Sequence, residues 1–245
     1  MEIIIQALAW IGFGIAVVTI IAVTKSGRSI SRFLLTKDTF DMVKKTMPGA
    51  IVADATASVH GEIEVELVGH QGKLKVYRRS GLLIGVFVEE SANIPKTGKF
   101  RFIARVIQDD PRVDASAVDQ RIKTAITTSI AAKGFSPADS MDADVLVTLH
   151  VALEGSVDDT QIGDTYDYHI PEMIGGQSDA DSEQPTLPER ASVIIDFIDP
   201  GVKKLIWRAS LLTDIVVEVS DEERTRRTNE AIAEMLTFFP PKSFI

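Results

Sequence analysis

The chain has 245 residues, 45% of them hydrophobic and 25% charged, and a formal net charge of −9. That is enough apolar material for one or two domains with real cores, which excludes a disordered chain, and the acidic balance works against a broad nucleic-acid footprint, which needs clustered Lys and Arg. With no cysteine in the sequence, disulfides, thiolate metal sites, thiol nucleophiles and a lipid-bearing N-terminal cysteine are excluded as well.

From Ile3 to Val23, "IIIQALAWIGFGIAVVTIIAV" runs for 21 residues without a formal charge. A helix of that length, at about 1.5 Å per residue, spans roughly the 30 Å hydrocarbon core. The sequence therefore predicts an N-terminal transmembrane helix, with residues 1–24 as anchor and the lipid bilayer as the partner of residues 3–23. A cleaved signal peptide fits less well: there is no basic n-region, the apolar run exceeds the usual h-region, and nothing like A-x-A follows. Gly12 and Ala16 form a small-xxx-small pair suited to close helix approach. Lys25, Arg28, Arg32, Lys37, Lys44 and Lys45 all follow the span, whereas the tail before it carries Glu2 and no basic side chain. The positive-inside rule thus places the C-terminal bulk in the cytoplasm.

Residues 25–47 read as a connector containing a short amphipathic helix over 33–46, closed by "MPGA" at Met47–Ala50. Residues 48–94 read as a small β-rich segment. There Ile63, Val65 and Leu67 alternate with Glu62, Glu64 and Glu66, and Leu74 and Val76 alternate with Lys73, Lys75 and Tyr77, which is a hairpin pattern. With His70 and Gln71 at its tip, Glu66 faces Lys75, Glu64 faces Tyr77 and Glu62 faces Arg79. The carboxylate row is then a charge-matched solvated face, not a metal site. "LLIGVFVEE" supplies a more buried strand, and the turn-rich Asn93–Gly98 marks the expected domain boundary. Beyond it Phe100, Phe102, Ala104 and Val106 alternate with Lys99, Arg101 and Arg105, cations that read as the outer side of a strand.

Residues 98–245 form the larger unit. One helix is expected from about Asp114 to Lys133, with Val118, Ile122, Ile126 and Ile130 on its buried face and Gly134 as its stop. A second starts at Ser220, whose side chain makes a capping box with Glu223; Thr228, Ile232, Met235 and Phe239 face inward, and Pro240-Pro241 end it. Three strand patterns lie between them: "ADVLVTLHVAL", "ASVIIDFID" and "KKLIWRASLLTDIVVEV". The fold class is α+β, an antiparallel or mixed sheet covered by the two helices. Val193, Ile195 and Phe197 share one face, as do Leu205, Trp207 and Ala209, and both sets turn toward the helices. Trp207 is accordingly a packing residue. Arg208 points the opposite way, with Asp196 and Ser192, on the sheet surface, and the parity of the pairing favours a three- or five-residue connection through Asp199-Pro200-Gly201.

Four blocks in this unit, "RIKTAITTSIAAKGF", "DADVLVTLHVALE", "SVIIDFIDPGVKKLIWRAS" and "EERTRRTNEAIAEMLTFFPP", taken together resemble the bacterial envelope family known as domain of unknown function 4136, over roughly residues 98–245. The resemblance implies a periplasmic body, since members are mostly predicted lipoproteins, and it implies no activity or catalytic residues. This chain departs from the family in having the apolar stretch in place of a lipidated cysteine and in its added β-rich segment. The periplasmic placement and the positive-inside rule oppose each other.

No catalytic constellation, metal site or cofactor is legible. His60, His70, His150 and His169 are far apart and show no H-E-x-x-H spacing. His150, flanked by Leu149 and Val151, reads as a satisfied or half-exposed strand histidine. There is no nucleophile elbow, phosphate-cradling glycine loop or dinucleotide fingerprint. The insertion 156–190 holds nine acidic residues, Asp158, Asp159, Asp164, Asp167, Glu172, Asp179, Asp181, Glu183 and Glu189, against Arg190 alone. "DADSE" at 179–183 lacks the glycine and distal glutamate of an EF-hand loop, so the insertion reads as a solvated loop. The leading expectation is a single-pass, inner-membrane-anchored, non-enzymatic protein serving assembly, scaffolding or partner binding, by a protein partner or self-association. A membrane-tethered hydrolase with a carboxylate site is the rival, and a calcium or small-ligand sensor acting through the insertion is the third reading.

Overall fold

The computed structural model describes residues 6–10, 17–21, 33–58, 61–90, 94–107, 114–138, 142–153, 190–214 and 219–240. His60, His169 and the acidic insertion up to Glu189 lie outside the described residues.

The expected membrane helix is the first departure. Strands β1 (Gln6–Trp10) and β2 (Val17–Ile21) occupy parts of that stretch, paired antiparallel with each other, and β2 pairs in turn with β3 (Phe33–Thr36). Among the described residues no helix is long and apolar enough to cross a membrane. The composition explains the difference. All five residues of β2 are β-branched, which favours extended backbone, and a uniformly apolar run has no period to separate strand from helix.

The amphipathic helix is present as α1 (Lys37–Thr46), shorter than expected because Phe33–Thr36 is strand. Then follow β4 (Val52–Ala57), β5 (Ile63–Leu67), β6 (Gly72–Arg79), β7 (Leu82–Glu89) and β8 (Gly98–Ile107). Helix α2 (Ala115–Ala131) leads to β9 (Phe135–Pro137), β10 (Val145–Leu153), β11 (Arg190–Asp199) and β12 (Lys204–Asp214). Helix α3 (Asp221–Met235) ends in one 3₁₀ turn, Leu236–Phe238, before Pro240 is reached.

Nine strands form one mixed sheet in the order β4-β5-β6-β7-β12-β11-β10-β8-β9. All neighbours are antiparallel except β8 with β10 and β8 with β9. Those parallel pairs are reached through α2, the crossover that parallel neighbours require. β7 pairs with β12 from Trp207↔Val88 to Leu212↔Leu83, so strands on both sides of Asn93–Gly98 belong to the same sheet.

Alternation along the strands divides the interior in two. Ile84, Val86 and Val88 of β7 pack with Ile122, Ile126 and Ile130 of α2 and Ile232 and Met235 of α3. Leu83 and Phe87 point the other way, into a second core with Met42 and Val43 of α1 and the adjoining Met47. The expected two-helix cover is thus joined by a third helix on the opposite face. Gly85 permits this close seat: a Cβ there would collide with Thr46 Oγ1 and crowd Met42.

Caps fix the ends. Asp114 Oδ1 accepts from the backbone N–H groups of Ser116 and Ala117, both at 3.0 Å, and Gly134, in the left-handed region at φ 89°, turns the chain into β9. Ser220 Oγ accepts from Glu223 N at 3.3 Å. The Glu223 carboxylate binds Arg226 and Arg227, whose hydrogen bonds lower its pKa to about 2.

Two registers differ from expectation. In the β5–β6 hairpin Glu64 faces Lys75 and Glu66 faces Lys73, a slip of two residues. Gly69, at φ 77°, sets the tip one residue earlier than His70-Gln71. An even slip keeps each side chain on its face, and Lys75 Nζ still meets Glu64 at 3.0 Å and Glu62 at 3.7 Å. Tyr77 on that same face is buried: its hydroxyl donates to the Glu234 carbonyl of α3 at 3.0 Å, and its ring meets Phe238 edge-on. In β11–β12 the pairs sum to an even number through Phe197↔Trp207, and a register shift after Phe197 then pairs Ile198 with Leu205. The connection is consequently the four residues Pro200–Lys203. Leu205 turns to the α1 side, while Trp207, Ala209 and Leu211 stay with α2 and α3.

Candidate functional site

The side chains with the richest chemistry converge on the sheet face that carries α1, opposite Trp207. Thr148 on β10, Asp196 on β11 and Arg208 on β12 stand in register across three neighbouring strands, and His150 is one pleat further along β10. Arg208 grips Asp196 with both arms of its fork: Nε to Oδ1 at 2.6 Å and Nη2 to Oδ2 at 2.8 Å. Its Nη1 donates to the Thr46 carbonyl at 3.2 Å. His150 Nε2 lies 3.9 Å from Asp196 Oδ2 and 3.5 Å from Thr148 Oγ1. Ser192 and Ser210 complete the polar row, and Ser192 Oγ reaches the Ala152 carbonyl at 3.5 Å.

The pairing of Arg208 with Asp196 agrees with the strand parity, but its setting does not: the expected sheet surface is interior. Arg208 is 1% exposed, Asp196 0% and His150 4%. α1 accounts for part of this, since Arg208 touches its last residue. Two charges taken out of water are tolerable only when their geometry is close and their remaining bonding capacity is used. A bidentate guanidinium–carboxylate pair with a helix-end carbonyl meets that condition.

What this arrangement can do chemically follows from its seal. A histidine beside a carboxylate is the raw material of a general base. Here both oxygens of the carboxylate are taken by arginine. Burial holds the His150 imidazole below the ordinary histidine range; Asp196 opposes that shift and Arg208 adds to it. Among the described residues the imidazole is thus buried beside a carboxylate already gripped by arginine, the arrangement of a packed polar core.

The other sequence-singled residues lie apart. Trp207, 0% exposed, meets the rings of Phe197 at 5.2 Å and Phe239 at 5.4 Å, while Phe239 stacks on Phe197 at 3.9 Å. It packs, as expected, and its Nε1 makes no hydrogen bond among the described residues. His70 sits edge-on to Phe87 at the hairpin tip. Among the described residues no group of three or more His, Asp or Glu could hold a metal ion. The calcium reading of Asp179–Glu183 falls outside the described residues.

Solved structures similar to this chain include a DUF4136 family protein from Bacteroides thetaiotaomicron, at 18% identity and TM-score 0.40 over 66% of this chain and 97% of that one. Others are the PelC dodecamer from Paraburkholderia phytofirmans (9% identity, TM-score 0.38, 64% of this chain and 95% of that one) and a PDZ domain protein from Parabacteroides distasonis (11%, 0.35, 94% and 48%). No curated protein matches the sequence. The sequence profile of one family matches residues 87–241. That match begins inside β7, earlier than the expected start near residue 98, and β7 is the strand that pairs with β12. It spans more than half of the chain, and the protein therefore belongs to the family described as domain of unknown function (DUF4136).

Proposed function

We propose that the protein is a single-pass, membrane-anchored, non-enzymatic component of the bacterial cell envelope, whose sheet-and-helix body serves assembly, scaffolding or partner binding. One observation carries the non-enzymatic reading: among the described residues, His150, Asp196 and Arg208 bring histidine, carboxylate and arginine together, and all three are sealed in the interior. The tethered hydrolase requires such a group in a cleft within reach of substrate.

The anchor rests on the uncharged run from Ile3 to Val23. β1 lies at the edge of its three-stranded sheet, and in hydrocarbon such an edge leaves backbone donors and acceptors without partners. A helix satisfies them all within the segment, so lipid favours the helical form of this stretch. The basic flank of Lys25, Arg28 and Arg32 argues for a cytoplasmic body and the family's predicted lipoproteins for a periplasmic one.

Crosslinking of the full chain in intact cells tests the scaffolding role. Discrete higher-mass species, from a second copy or a partner, are the expected result. A reagent that cannot pass the inner membrane gives them only if the body is periplasmic. A chain that stays at its own mass with permeant and impermeant reagents alike contradicts the proposal.

A further inference from the structure

We propose that α1 is an acid-releasable strap: protonation of His150 draws Asp196 away from Arg208 and undoes the hydrogen bond by which Arg208 holds the end of the helix. The latch is short and its parts are all on one face of the sheet. Thr46 is the last residue of α1, so its carbonyl has no partner further along the helix. Arg208 supplies one at 3.2 Å and sets a cation at the negative end of the helix dipole. That guanidinium is in turn positioned by Asp196, whose Oδ2 is both the acceptor for Nη2 at 2.8 Å and the oxygen nearest His150, at 3.9 Å.

A neutral imidazole leaves this carboxylate to the arginine. An imidazolium competes for the same oxygen and places a second positive charge beside the guanidinium. Among the described residues the charges acting on His150 are Asp196 on β11 and Arg208 on β12. On β8, Arg101 shares the same sheet face but stands opposite Leu146, four residues along β10. From α1 the Thr46 carbonyl faces the cluster; Asp38 is engaged with Arg78, and Lys44 lies over the Phe40 ring.

The direction of the pH effect follows from linkage. Burial lowers the His150 pKa from its ordinary 6.5, so a state in which Arg208 has left Asp196 and water reaches the imidazole takes up the proton first. Opening is favoured as the pH falls below about 6.5 and is insensitive to pH well above it. α1 yields before the sheet because it is 10 residues long, too short to persist without its packing. It meets the body through Met42, Val43 and Met47, whereas α2 and α3 hold the other face.

Hydrogen exchange resolved by segment, on the full chain, reads this directly. Corrected for intrinsic rates, protection across residues 37–47 is expected to fall by up to about tenfold between about pH 7.5 and 5.5, the limit for uptake of one proton. β10, β11 and β12 keep theirs, and His150→Gln abolishes the response. Should His150→Gln not fold, the comparison of α1 with the sheet in the unaltered chain decides alone. The proposal is overturned if α1 keeps its protection at about pH 5.5, if α1 and the sheet lose protection together, or if His150→Gln responds to acid like the unaltered chain.

Discussion

Asp196→Ala is expected to destabilise the protein by about 3–5 kcal/mol, the largest effect of any single polar substitution in the row. The loss is not that of one attractive pair. It is the cost of leaving the Arg208 guanidinium, 1% exposed, without the carboxylate that takes two of its donors at 2.6 and 2.8 Å. Removing both charges should therefore be far milder than removing one. Asp196→Leu with Arg208→Met replaces the pair by apolar groups of similar volume, an exchange that is often neutral or even stabilising. The double variant still gives up the bond to the Thr46 carbonyl, so α1 should loosen even where global stability is kept. Urea unfolding of the single and double variants as a cycle measures the coupling. A loss below about 1 kcal/mol for Asp196→Ala, the scale of exposed pairs, would mean that water reaches the pair.

Trp207→Ala is expected to cost about 3–5 kcal/mol, through lost burial and the cavity left beside two stacked rings. Phe197 and Phe239 stack at 3.9 Å and both meet the indole edge-on, at 5.2 and 5.4 Å. Phe239 follows α3, so its loss of contact also frees the end of that helix. Trp207→Phe should recover much of the deficit, because among the described residues the indole Nε1 makes no hydrogen bond to forfeit. Thermal unfolding separates this from a recognition role, in which Trp207→Ala would abolish binding and leave the melting temperature unchanged.

What was legible in the sequence depended on whether a pattern survives local irregularity. The hairpin faces were readable because a slip of two residues leaves alternation intact, whereas the tip could not be placed from Gly69, His70 and Gln71 without knowing which of them takes positive φ. Trp207 and Arg208 were separable onto opposite faces for the same reason. Leu205 was not, because the register shift after Phe197 has no signature in alternating residue types. The burial of Arg208 was missed because α1, "KDTFDMVKKT", looks too polar to cover a sheet. A signal was nevertheless present: Asp196 interrupts the apolar run Val193–Ile198, and a lone charge in such a run usually belongs to a strand buried on both faces. Gly85, inside another apolar strand, marked a close approach that is made by the Thr46 and Met42 side chains of α1. The run from Ile3 to Val23 could be read only from length and polarity, and both are shared by membrane helices and buried strands.

Alkaline carbonate extraction of membranes carrying the full chain bears most directly on the tethered-body reading. The chain is expected to stay in the membrane pellet, while a shortened form beginning after Val23 passes to the supernatant. Release of the full chain into the supernatant would contradict the anchor and with it the proposed role.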